Sequence, residues 1–155
     1  MNKKMSGKCS IAKEHLLKVK EKYLAVMLAK ERYAQDYELI FSGGGIDYSK
    51  ERVDGGKVDS GNEKVETLTD RWKELEALER DYIIYSHDIS QKLNQIESYH
   101  GKEILTRRYL IIPSTGRLKS FEQITEDMGL IDLRHCQRLH SKALEEYYNK
   151  FLSEV

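Results

Sequence analysis

The sequence predicts an all-α protein: a long antiparallel helical hairpin of coiled-coil character, followed by a carboxy-terminal three-helix helix-turn-helix domain. Three observations carry this. The chain has one proline in 155 residues, two long tracts repeat apolar residues at steps of three and four, and one glycine separates two short amphipathic patterns near the end. A charged fraction of 34% beside 39% hydrophobic residues describes a globular chain with a heavily solvated surface. At this length a core must be shared between a few long elements.

The first tract covers residues 11–41. Leu16, Val19, Tyr23, Val26, Tyr33, Tyr37 and Ile40 make a narrow apolar seam, with Lys30 its one polar interruption. Residues 42–62 hold most of the glycines and read as a flexible linker, within which "IDYSKERV" is expected to be an ordered piece of loop or a short strand. The second tract, 63–100, places Val65, Leu68, Trp72, Leu75, Tyr82, Ile89, Leu93 and Ile96 on one heptad track, broken by Glu79 and Ser86. About five heptads at 1.5 Å per residue span roughly 50 Å. Such a seam needs a partner. The first tract supplies one in a hairpin; a homodimeric coiled coil, with Glu79 and Ser86 setting register, is the alternative. His100 and Gly101 are expected to end this helix.

Residues 101–155 carry three shorter patterns. "GKEILTRRYLI" begins a short amphipathic helix, and Pro113 with "STG" breaks the chain. Ser120 and Gln123 have the spacing of a capping box, ahead of an apolar face of Phe121, Ile124 and Met128. Gly129 is placed to end that helix, and Asp132 to cap a last one running to about Phe151. At 100° per residue this last helix has two incompatible faces. Cys136, Leu139, Ala143 and Tyr147 form a stripe suited to a core; Arg134, Gln137, Arg138 and Ser141 lie opposite.

A helix, a glycine turn and a longer helix is the arrangement whose second helix enters the major groove. Arg134, Gln137 and Arg138 fall in the amino-terminal half of helix 132–144, where base edges are reached. Arg107, Arg108, Arg117, Lys119, Ser141 and Lys142 are candidates for phosphate contacts, which position without specifying sequence. Global charge does not announce such a partner, since 26 basic residues balance 26 acidic ones. Local charge is uneven: residues 1–24 hold seven lysines against two glutamates, and 101–142 hold eight Lys/Arg against five Asp/Glu. The lysine-rich start reads first as the polar face of an amphipathic helix and second as a nucleic-acid or membrane arm.

The segment "ILTRRYL…SFEQITEDMGLIDLRHCQRLHSKALEEYYNKF" resembles region four of bacterial sigma factors, which reads the promoter −35 element. More narrowly, "RLH" after a long heptad helix resembles small phage-encoded transcriptional regulators of the ArpU type. The resemblance implies double-stranded DNA as partner, RNA polymerase as a further one, and DNA contacts at Arg134, His135, Gln137 and Arg138. It also implies a phage or prophage late-gene role in the cytoplasm of a bacterial host cell. Three features depart from the pattern: the long link "IIPSTGRLK", one extra residue in "GLID", and His135 where a longer basic residue often stands. Nothing else in the sequence resembles the aromatic-rich module that melts DNA, so initiation of transcription by this chain alone is not expected.

Other chemistries find little support. "SGGG" and "GGKVDSG" lack the glycine-to-lysine spacing of a phosphate-binding loop and a preceding strand. His135, Cys136 and His140 do not converge on one helix face, which favours a core cysteine and surface histidines over a metal site. Glu145 and Glu146 read as a solvated face rather than acid-base catalysts. No enzyme activity, cofactor or metal is expected. Cys9 and Cys136 match no disulfide framework, no apolar run reaches membrane-span length, and the start lacks the apolar stretch of a signal peptide. The competing functional expectation is a non-catalytic coiled-coil adaptor without specific DNA binding.

Overall fold

The computed structural model describes residues 7–41 and 59–153, and among them no strand occurs. "IDYSKERV" and most of the glycine-rich linker lie outside the described residues. The elements in order are α1 (Gly7–Phe41), α2 (Asp59–Leu93), α3 (Tyr99–Leu105), α4 (Phe121–Met128) and α5 (Leu133–Tyr147). One π-helical turn, Thr106–Leu110, extends α3, and another, Tyr148–Leu152, extends α5. No helix of the described residues is long and apolar enough to cross a membrane.

The chain divides into two compact units, and the division cuts both long helices. The first unit combines Met1–Tyr23 with Tyr82–Val155; the second is Leu24–Asp81. The boundary expected at residue 101 is therefore not where packing separates. The α3–α5 region shares its core with the start of α1 and the end of α2.

In the second unit the halves of α1 and α2 run antiparallel. Lys30 pairs with Glu79 and, further along α1, Asp36 pairs with Arg71 earlier in α2, at 3.4 and 3.0 Å. The polar interruptions of the two seams thus meet each other. Val26, Ile40, Leu68 and Leu75 are buried, and Tyr33 packs on Trp72 with centroids 5.4 Å apart. Two helices cannot enclose large aromatic rings, so Trp72 remains 47% exposed and Val65, Tyr37 and Phe41 are also open to solvent.

The first unit holds the main core. Cys9, Ala12, Leu16 and Val19 of α1 meet Ile89 and Leu93 of α2, Ile96, Leu105 and Tyr109, and Ala143, Leu144 and Tyr147 of α5. Tyr85 donates to the His15 carbonyl, and the Tyr147 hydroxyl lies 2.9 Å from His15 Nδ1. Burial, with Lys92 and Lys18 nearby, lowers the His15 pKa.

The second long helix stops earlier than its heptads suggest. It ends at Leu93, and the turn that follows is closed by Gln95 N–H to the Lys92 carbonyl and Ile96 N–H to the Leu93 carbonyl. Ser98 then caps α3, its hydroxyl accepting from Gly101 N–H at 3.1 Å. Ile96 keeps its place in the core although it lies beyond the helix. His100 and Gly101, expected to end a helix, instead lie in the first turn of the next. Gly101 is required by packing: a Cβ there would lie 2.9 Å from Ala143 Cβ on α5.

Candidate nucleic-acid interface

The last two helices are built by local signals. Ser120 Oγ accepts from Gln123 N–H at 3.1 Å and starts α4. The Gln123 amide nitrogen donates to Asp127 Oδ1 at 2.8 Å, one turn further along α4. Gly129, at φ +64°, takes the left-handed conformation that ends α4. Asp132 Oδ1 accepts from His135 N–H at 2.8 Å and starts α5. A second, smaller core of Ile104, Ile124 and Cys136, flanked by Phe121, Met128, Leu130 and Leu139, fixes α4 on α5.

With that stripe buried, Arg134, Gln137, Arg138, Ser141 and Lys142 are exposed on one face of α5, and His135 is half-buried. Three of the four base-edge candidates, Arg134, Gln137 and Arg138, therefore share an accessible surface, and His135 lies at its edge. The phosphate candidates do not all behave alike. Arg117 is exposed. Arg107 is half-buried and pairs with Glu103 at 3.3 Å. Lys119 pairs with Asp127, and hydrogen bonds from Lys119 and Gln123 hold that carboxyl below the usual aspartate range. Arg108 is turned to the fold: it donates to the Lys119 carbonyl, and its guanidinium carbon lies 4.4 Å from the Phe121 ring centroid. Those contacts make Arg108 a brace for the link 111–120.

Sequence reasoning missed two residues here. His140, expected on the surface, is only 4% exposed. Its Nε2 lies 2.7 Å from the hydroxyl of the fully buried Tyr109, and its ring packs against Phe121 at 4.6 Å. Burial, then the charges of Arg108 and Lys13, push its pKa down to about 4, while burial lifts Tyr109 to about 12. A hydrophobic-moment argument could have found it, since position 140 lies within 60° of Cys136 and Tyr147 at about 100° per residue. The second is Ile131, 86% exposed in the turn just ahead of α5. Glu146 also departs from a merely solvated face, accepting from Glu97 N–H at 2.8 Å and pairing with Lys150.

Charge divides with the two units. The first carries seventeen Lys/Arg against twelve Asp/Glu, the second nine against fourteen. The zero net charge of the chain conceals a basic unit that contains α5. Compared with protein-family models, curated proteins and solved structures, the chain matches none of them.

Proposed function

We propose that this protein is a DNA-binding transcriptional regulator of phage or prophage type, which reads duplex DNA with the amino-terminal half of α5. The observation that carries the reading is the separation of α5 into a buried stripe and an exposed face of Arg134, Gln137 and Arg138. Arginine and glutamine donate in the pairs that guanine and adenine edges accept. The local basic excess supports electrostatic attraction to phosphate. Ile131, beside that face, suits apolar contact with a thymine methyl. RNA polymerase enters as a partner through the resemblance to sigma region four.

The test is selection from random duplex DNA at low salt, followed by salt-controlled affinity measurement. A folded Arg134→Ala/Arg138→Ala variant is expected to lose at least tenfold on the selected duplex, since each good base contact contributes about 1–3 kcal/mol. Wild-type affinity in that variant would refute the assignment.

The second reading, a helical adaptor, draws on the second unit. There Val65, Trp72 and Phe41 are exposed around an open groove of about 370 Å³. Failure of the selection to enrich any sequence would favour it.

A further inference from the structure

The lysine-rich start of the chain packs beside the face that carries Arg134 and Arg138. Cys9 Sγ donates to the Ser141 carbonyl at 3.4 Å, and Lys8 Nζ lies 5.9 Å from the centroid of Tyr148. Ala12 and Leu16 share a core with Ala143, Leu144 and Tyr147. Leu139, by contrast, packs with Ile124 and Phe121 on the α4 side. At about 100° per residue, Leu139 and Leu144 flank the buried stripe on opposite sides, roughly 130° and 90° from the middle of the exposed face. The exposed row of α5 therefore runs between α4 on one flank and the first turns of α1 on the other.

We propose that Lys8 gives α1 a phosphate contact on the DNA strand across the major groove from the one nearest α4 and Arg117. Lys8 is exposed, and residues 1–24 carry five more basic than acidic groups. Lys13 lies about 140° further around α1, beyond the buried Ala12 and Leu16. A major groove about 12 Å wide presents a phosphate row on each side of a docked helix. An α5 flanked on one side only would reach one row. The inference rests on the DNA-reading assignment, and it makes α1 part of the interface rather than only its scaffold. Lys18, exposed on the far face of α1, has no such role.

The test uses the full chain, with the selected duplex and a random duplex of equal length as probes, titrated across a series of salt concentrations. Lys8→Gln, a change at an exposed position, is expected to weaken binding to both duplexes by about two- to fivefold and to flatten the log–log salt slope by about one, at roughly 0.9 per phosphate lost. The ratio between the two duplexes stays constant, and Lys8→Arg keeps the wild-type slope. Lys18→Gln leaves slope and affinity near wild type. An unchanged slope in Lys8→Gln, or an equal loss in Lys18→Gln, overturns the proposal. Loss of binding in Arg134→Ala/Arg138→Ala with an unaffected lysine variant rejects only the α1 contact. Wild-type binding in the arginine variant rejects the DNA-reading assignment itself.

Discussion

The hydroxyl of Tyr109 and Nε2 of His140 lie 2.7 Å apart in the core of the first unit, joining the π-helical turn after α3 to the middle of α5. Both side chains are buried, so each satisfies the other where water cannot. Removing the hydroxyl in Tyr109→Phe leaves the histidine nitrogen unpaired. A loss of about 1–3 kcal/mol is expected in urea unfolding.

The same histidine gives the unit a pH dependence. Its pKa falls from 6.5 unfolded to about 4 folded, so the unfolded chain binds the proton more tightly. The neutral form's contribution is complete above about pH 6.5 and is lost as pH falls toward 4, on the order of 3 kcal/mol in all. Thermal midpoints measured between pH 4 and 7 are expected to fall with acidification in the wild type and less steeply in His140→Gln. Parallel curves for the two proteins would remove His140 as the cause.

Gly101→Ala tests the close approach of α3 to α5. Helix propensity alone favours alanine by about 1 kcal/mol. The added Cβ would stand 2.9 Å from Ala143 Cβ, which has no rotamer to yield. Overpacking costs about 1–3 kcal/mol, so the net effect expected is destabilisation, partly relieved in the Gly101→Ala/Ala143→Gly double variant. A more stable single variant would show that the helices part easily.

Lys30 and Glu79 are both well exposed, which limits their pairing to under about 1 kcal/mol. Their value is registration of α1 against α2. Changing both to leucine is expected to raise the thermal midpoint while promoting self-association, read by light scattering, as two breaks in the apolar seams are filled. A variant with the same oligomeric state as the wild type would tie self-association to other residues.

Ile131 gives a chemical test of base reading. Uracil substituted for thymine, one position at a time in the selected duplex, removes only the 5-methyl group. One position is expected to weaken wild-type binding severalfold, a small apolar contact's share of about 1 kcal/mol. That same substitution should matter little to Ile131→Ala. Equal sensitivity in both proteins would exclude the contact.

What the sequence made legible was local. Ser120, Gly129 and Asp132 mark helix ends through groups one turn away, and Cys136, Ala143 and Tyr147 declare a buried face by spacing alone. The seams of α1 and α2 were legible as well, and Lys30 and Glu79 could be singled out, though not that they would meet. Tertiary context decided the rest. His140 and Arg108 look like surface residues until Tyr109 and Phe121 are brought beside them, and Gly101 looks like a stop until Ala143 is packed against it. The heptad track persisted through Ile96 because burial continued where the helix did not.

The shared core of Ala12, Leu16, Leu144 and Tyr147 sets an order of events during synthesis. The start of α1 must wait, with an apolar stripe unsatisfied, until α5 has left the ribosome. A fragment beginning at residue 101 would contain every local signal for α3, α4 and α5 yet lack the surface that holds Leu144 and Tyr147. It should behave as a loosely packed chain rather than a unit that folds by itself. The unit that carries α5 is completed by contacts between segments far apart in sequence, so removing Ala12 and Leu16 should loosen α5 as surely as removing Leu144 and Tyr147.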